Sequence, residues 1–318
     1  MGARQTIRKF IRRCGYDIVR LKHADYRGVP ECFPPGHHYS VVPSLAEASG
    51  GASAGFCETV SLHGIELCLD AQLKVLEDFR ALTGNPPFYA KAKRIRFDIE
   101  NNSFSYDDAP ILHYMMRRLR PRDVIEIGFG NSSACMLDTS EIYLDGTVDF
   151  TFIDPHCDNL KRFLLEKDFE KIQILERPVQ NVNLSIFTRL QANDILFIDS
   201  SHVIKVGSDL QTIFFQVLPI LAPGVWIHFH DVRFPFRYSA DYALKGIFWN
   251  EAYLLRAFLM YNTDFKVGFW LNGLMNSGLP GIGGALDFLP LPDWDRRFSN
   301  GCGDYSEAGG SIYLVKRK

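Results

Sequence analysis

The chain has 318 residues, with 35 Lys and Arg against 37 Asp and Glu and a formal net charge of −2. That near balance gives no general drive toward nucleic acid. Hydrophobic residues make up 47% and charged residues 23%, as in ordinary soluble proteins, and the length allows one large domain or one domain with an extension. No apolar run reaches the roughly 20 residues that a membrane-spanning helix needs. The seven cysteines (Cys14, Cys32, Cys57, Cys68, Cys135, Cys157 and Cys302) are scattered and form no C-x-x-C pair. That is the pattern of free thiols in a reducing cytoplasm.

The first predicted element is a basic amphipathic helix. Arg4, Arg8, Lys9, Arg12, Arg13, Arg20 and Lys22 face one acid, Asp17, while Ile7, Phe10, Ile11, Cys14, Ile18 and Leu21 recur at helical steps. Docking on the body with a solvated basic face is the expectation; peripheral contact with an anionic membrane is the alternative. Met1 to Thr6 also matches a myristoylation pattern, a short one that chance often produces. From Glu31 to Gly55, prolines and glycines punctuate an irregular segment, either a linker or a lid. The apolar spacing between Gly64 and Leu82 predicts an extended piece followed by a helix. Residues 1–100 thus read as an N-terminal extension, and 101–318 as the main domain.

The main domain alternates strand and helix, as a mostly parallel sheet requires. Asp107 or Asp108 suits the N-cap of a helix from Ala109 to Leu119, and the same turn could line a site. Strands are expected at 123–127, 149–153, 171–175, 194–198, 224–230, 265–271 and 311–316. Helices are expected between them, including Gly207–Leu221 and Asn250–Met260. Leu279–Gly310, rich in Gly, Pro and Asp, reads as a long surface excursion before the last strand.

The chemistry concentrates at four strand ends. Val124-Ile-Glu-Ile-Gly-Phe-Gly-Asn-Ser-Ser133 runs from a buried strand into a glycine turn and on to a helix start. Gly128 and Gly130 remove the Cβ atoms that would block a ligand's approach. Glu126 places a carboxylate on an apolar strand, which has a cost unless something pairs with it. Asp154-Pro155-His156 closes the second strand, where an acid can bind both ribose hydroxyls. Asp194-Ile-Leu-Phe-Ile-Asp199-Ser-Ser-His202 closes another, and Pro223-Gly-Val-Trp-Ile-His228-Phe-His230-Asp231 a further one.

Those motifs, in that order, resemble a class I S-adenosylmethionine-dependent methyltransferase, within a group of bacterial small-molecule and sugar O-methyltransferases. The resemblance covers about a third of the chain by motif. It implies a Rossmann-like α/β sheet of seven mostly parallel strands with helices on both faces. It also implies S-adenosylmethionine as cofactor, with Glu126, Gly128, Gly130, Asn131, Ser132, Asp154 and Pro155 around it. The acceptor would be a small molecule or saccharide and the location cytoplasmic; a homo-oligomer fits the same picture.

Methyl transfer to a hydroxyl needs the oxygen held in line and its proton removed. Asp199, His230 and Asp231 end neighbouring strands and could converge on one divalent cation that lowers the hydroxyl pKa, leaving His202 as base. The resemblance implies magnesium on the positions of Asp199 and Asp231 and a base at His202. It departs at His230, where the family carries an acid. Imidazole there favours manganese or another transition metal, or makes His230 itself a base. Two other classes stay open: a nicotinamide oxidoreductase, against which Ser133 stands in place of the third glycine, and a non-catalytic scaffold.

His228 reads as a core histidine bonded to a neighbour, and Asp209 as an orienting residue for the loop after His202. Phe234, Phe236, Tyr238, Tyr242, Phe248 and Trp249 could wall the acceptor pocket or cover the sheet. Arg233 and Arg237 could meet an anionic acceptor.

Overall fold

A computed structural model describes residues 33–50, 62–82, 86, 96–101, 103–104, 107–238, 240–280, 282, 288–289, 297–299, 304–306 and 309–318. The expected basic N-terminal helix and the myristoylation pattern lie outside these residues.

Seven strands form one sheet: β1 (Asp123–Ile127), β2 (Asp149–Asp154), β3 (Ile172–Glu176), β4 (Ile195–Ile198), β5 (Trp226–Phe229), β6 (Phe265–Trp270) and β9 (Ile312–Lys316), in the order β3-β2-β1-β4-β5-β9-β6. The first five run parallel, and β9 pairs antiparallel with both β5 and β6. All seven predicted strands are present and the predicted fold class holds. The last strand slots between β5 and β6, which an all-parallel dinucleotide-binding sheet of order 3-2-1-4-5-6 does not have.

Alternation along the strands builds a core on each face. Val124, Phe150, Phe152, Phe197 and Trp226 face one cluster; Ile125, Ile127, Ile153, Leu196, Ile198 and Phe229 face the other. Helices α1 (Leu69–Ala81), α2 (Asp108–Leu119) and α3 (Asn131–Tyr143) cover the first face, contributing Phe79, Met115 and Met136. The second face is covered by helical residues 209–220 and by α4 (Glu251–Leu259), through Leu210, Ile213, Ala252 and Leu255.

Three boundaries depart from the sequence reading for local reasons. Strand β5 is shorter than 224–230 because Gly224, at φ +88°, turns the chain before it. Helix 207–221 starts late, after Gly207 at φ +73°, and its middle, Ile213–Val217, widens into a π-helical turn. The 279–310 stretch is not simply a surface excursion. Arg297–Ser299 (β7) pairs with Asp304–Ser306 (β8), and Leu289 is buried in the core. Gly309 and Gly310 are also buried and donate their N–H groups to Asp107 and Asp108 at 2.7 and 3.2 Å.

The chain divides into two compact units at Ser44 and Leu45. Helix α1 lies in the larger unit and buries Val75, Leu76 and Phe79 there. Within the smaller unit, described residues Phe33, His37, His38 and Tyr39 stack rings around the turn closed by Gly36 N–H donating to the Val42 carbonyl. No helix among the described residues is long and apolar enough to cross a membrane.

Candidate active site

The C-terminal ends of β1, β2, β4 and β5 lie side by side along one edge of the sheet. Gly128 follows β1 with φ +75° and donates its N–H to the Ile153 carbonyl at 2.9 Å, tying the turn to β2. Any Cβ at Gly128 would be driven into the Asp199 carbonyl oxygen, so only glycine lets β1 and β4 end this close together. Gly130 has open space within 4 Å of its Cβ position, and helix α3 starts directly after it.

Glu126 is fully buried beneath this turn. The Ser132 and Ser133 hydroxyls donate to its two carboxylate oxygens at 2.5 Å each. These serines, on the first turn of α3, answer the question of what pairs with a carboxylate on an apolar strand. They also place the Ser132 hydroxyl against Glu126, so its side chain supports the carboxylate. Burial pushes Glu126 up to about 8 against the hydroxyls' lowering effect, and nearby Asp199 and Asp154 add to the rise. A cation arriving here would find a group ready to ionise. Asn131 Nδ2 donates to Ser103 Oγ at 2.8 Å. Asp154 ends β2 half-buried, with Oδ1 accepting from His156 N–H at 2.7 Å, and Pro155 is exposed beside it.

The second half of the site is a cluster of imidazoles and carboxylates. His202 Nε2 lies 3.3 Å from Asp199 Oδ1 and 3.9 Å from Asp231 Oδ2. His230 Nδ1 lies 3.6 Å from Asp199 Oδ1 and 3.5 Å from Asp231 Oδ2. The structure therefore brings together all four residues that the strand ends pointed to. His202 and Asp231 both hold left-handed backbone, at φ +57° and +55°, a strained state found where geometry serves a site.

Each imidazole also has a carboxylate behind it. Glu251, at the start of α4, sits 2.7 Å from His202 Nδ1, and Asp108, at the start of α2, sits 3.4 Å from His230 Nε2. Asp107 is the N-cap, accepting from Asp108 N–H at 3.1 Å, so the adjacent acids divide the two roles that the sequence allowed to either. Glu251 was not foreseen. Its only sequence signal is an acid at a predicted helix N-terminus, where a favourable helix dipole is explanation enough.

Burial disfavours the His202 imidazolium, but hydrogen bonds to Asp199 and Glu251 outweigh it and lift the ring to about 10. His230 is raised well above its ordinary value against the same burial, chiefly by the Asp199 charge and its contact with Asp108. Against their own burial, Asp199 is held low by both imidazoles and Asp231 by His230.

Asp199, His230 and Asp231, the residues expected to share a cation, lie together at the ends of β4 and β5. Among the described residues, no group of three or more His, Cys, Asp or Glu side chains is placed to hold a metal ion. The two imidazoles stand between the carboxylates, His202 Nε2 facing Asp199 and His230 Nδ1 facing Asp199 and Asp231.

Neighbouring residues fall into supporting places. His228 is fully buried, stacks on Phe197 at 3.7 Å and pairs with Ser311 Oγ at 2.8 Å. Asp209 accepts from both the backbone and the hydroxyl of Ser201, fixing the loop before His202. Trp249 lies 4.3 Å from the His202 ring, with Tyr238 and Tyr242 against Trp249. Phe236 is instead buried against Trp270. Arg233 Nη1 reaches Asp231 Oδ1 at 3.3 Å, so this arginine supports the site's acid.

Residues 125–232 match the family model described as a methyltransferase domain. A protein of Archaeoglobus fulgidus described as uncharacterised is 29% identical over 175 residues, covering 53% of this chain and 78% of its own. Among solved structures, the O-methyltransferase TomG of Streptomyces achromogenes, bound to S-adenosylmethionine, aligns over 78% of this chain and 90% of its own, with 14% identity and a TM-score of 0.39. The S-adenosylhomocysteine-bound methyltransferase PaMTH1 of Podospora anserina aligns over 88% and 99%, with 17% identity and a TM-score of 0.39.

Proposed function

We propose that residues 125–232, which match a methyltransferase-domain family model, transfer a methyl group from S-adenosylmethionine to a hydroxyl of a small-molecule or saccharide acceptor. The observation that carries this reading is the position of His202. Its Nε2 faces Asp199 at the end of β4, next to the strand that ends in the Gly128 turn. A proton acceptor thus stands beside the cofactor crevice, where an in-line displacement needs one.

In this reading Glu126, Gly128, Gly130, Asn131, Ser132, Asp154 and Pro155 border the cofactor. Asp154 takes the ribose hydroxyls, Gly130 leaves room for the approach, and Ser132 holds Glu126 in place. His202 receives the acceptor's proton, and His230 is the second candidate base. Tyr238, Tyr242 and Trp249 wall the acceptor side of His202. A divalent cation, if bound, would be held by Asp199, Asp231 and His230 and would lower the hydroxyl pKa. His202 accepts in its neutral form, so the proton that Asp199 and Glu251 favour on the ring must pass to solvent before the acceptor binds. A bound sulfonium charge works against an imidazolium in the same crevice, which favours that loss.

The test has two stages. Calorimetry should show S-adenosylhomocysteine binding and no response to NAD. Transfer of labelled methyl groups should then be screened over polysaccharides, glycosides and phenolics, with amines and thiols as controls. Lack of S-adenosylhomocysteine binding would refute the cofactor assignment, and labelling of amines alone would refute the hydroxyl.

A further inference from the structure

His202 is held from behind by the start of α4, 49 residues further along the chain. The ring nitrogen Nδ1 lies 2.7 Å from Glu251 Oε2. Glu251 is fully buried, and its other oxygen, Oε1, has no hydrogen-bond partner among the described residues. The backbone is held as well: Asn250 and Glu251 both donate their N–H groups to the His202 carbonyl, at 3.0 and 3.2 Å. The Asn250 side chain brackets Ile204, accepting from its N–H at 2.7 Å and donating to its carbonyl at 3.3 Å. These contacts maintain His202 in its left-handed backbone conformation. A carboxylate buried with one partner is costly, and an apolar side chain would pack at less expense. Its placement is understandable if the partner must be oriented and its charge balanced.

We propose that Glu251 is the positioning residue for His202, accepting Nδ1–H so that the ring is held with Nε2 toward Asp199 and the acceptor side of the crevice. This rests on the reading of His202 as the proton acceptor. In the step itself, the acceptor oxygen's electron pair forms the new carbon–oxygen bond. The carbon–sulfur pair passes to sulfur, leaving S-adenosylhomocysteine, and the hydroxyl proton goes to His202 Nε2. Glu251 then faces an imidazolium that it stabilises without touching the substrate. Asp108 stands behind His230 in a similar way, but at 3.4 Å, and also accepts from Gly310 N–H.

The full-length protein, saturated with S-adenosylhomocysteine and labelled with nitrogen-15 in its histidines, allows a direct test by proton NMR. A short hydrogen bond from imidazole N–H to a carboxylate moves its proton strongly downfield. One such resonance, coupled to Nδ1, is expected. It should vanish in His202→Asn and move upfield in Glu251→Gln, with S-adenosylhomocysteine affinity kept. Absence of the resonance from the wild-type complex overturns the proposal without recourse to any variant, so misfolding of Glu251→Gln does not shield it. An unmoved resonance in folded Glu251→Gln overturns it too. A wild-type protein that binds no S-adenosylhomocysteine overturns the methyltransferase reading instead, and this proposal with it.

Discussion

The carbonyl oxygen of Asp199 occupies the space that a side chain on Gly128 would need. The turn after β1 and the strand end that carries Asp199 and the histidine–carboxylate cluster therefore depend on one another. Gly128→Ala must move β4 or open the turn, and it also meets φ +75°. Severe destabilisation is expected. Gly130→Ala has open space around its Cβ, so it should fold normally but weaken S-adenosylhomocysteine binding. Thermal melts paired with calorimetry would check this. Equal melting temperatures for the two variants would contradict the distinction.

Asp154→Ala should remove the ribose contacts. Loss of a charge-assisted hydrogen bond costs roughly 1.5–3 kcal/mol, about ten- to a hundredfold in affinity. Unchanged S-adenosylhomocysteine affinity by calorimetry would show that the acid at the end of β2 does not hold the nucleoside.

Glu126 and His202 should each make stability fall as the pH rises. Glu126 lies near 8 in the folded protein against an ordinary 4.5, so the folded chain keeps a proton that the unfolded chain releases, and stability declines across that window. His202 is raised from 6.5 to about 10. Its contribution is complete below 6.5 and is lost as the pH climbs through about 10. Melting temperatures of the cofactor-free protein should track this decline, and Glu126→Gln should flatten the part below 8. A variant curve parallel to wild type would show that Glu126 is not protonated in the folded state.

A divalent cation settling on Asp199, His230 and Asp231 would compete with the proton that those carboxylates favour on His230. Manganese or magnesium added to weakly buffered protein with S-adenosylhomocysteine should release no proton and leave no metal after dialysis. Release of about one proton per chain, with metal retained, would establish a cation site that the resting arrangement conceals.

Arg96 offers a prediction independent of the cofactor. Its buried guanidinium joins Asp138 at 2.7 Å, Asp168 at 2.6 Å and Glu141 at 2.9 Å, linking the segment before α2 to α3 and to the turn before β3. Arg96→Ala leaves Asp138 and Asp168 buried without their cation, a loss of roughly 3–5 kcal/mol. Denaturant unfolding would measure it, and a loss below about 1 kcal/mol, the scale of an exposed pair, would show that the network is dispensable.

The sequence alone determined the sheet and the strand ends. Apolar runs bounded by Gly, Pro and Asp carry their own period and punctuation, so each strand was legible near its true limits. The acids and histidines that close those runs had to share one edge, because parallel strands all end on the same side. Only the tertiary structure decided what stands behind them. Ser132 and Ser133 meet Glu126 because alternation along β1 points that carboxylate toward α3. Asp108 and Glu251 meet His230 and His202 across 122 and 49 residues. Helix-starting acids look alike in sequence, whether they face solvent or a buried imidazole. The upward shift of both imidazoles also arises from that packing, since it depends on how many carboxylates crowd each ring.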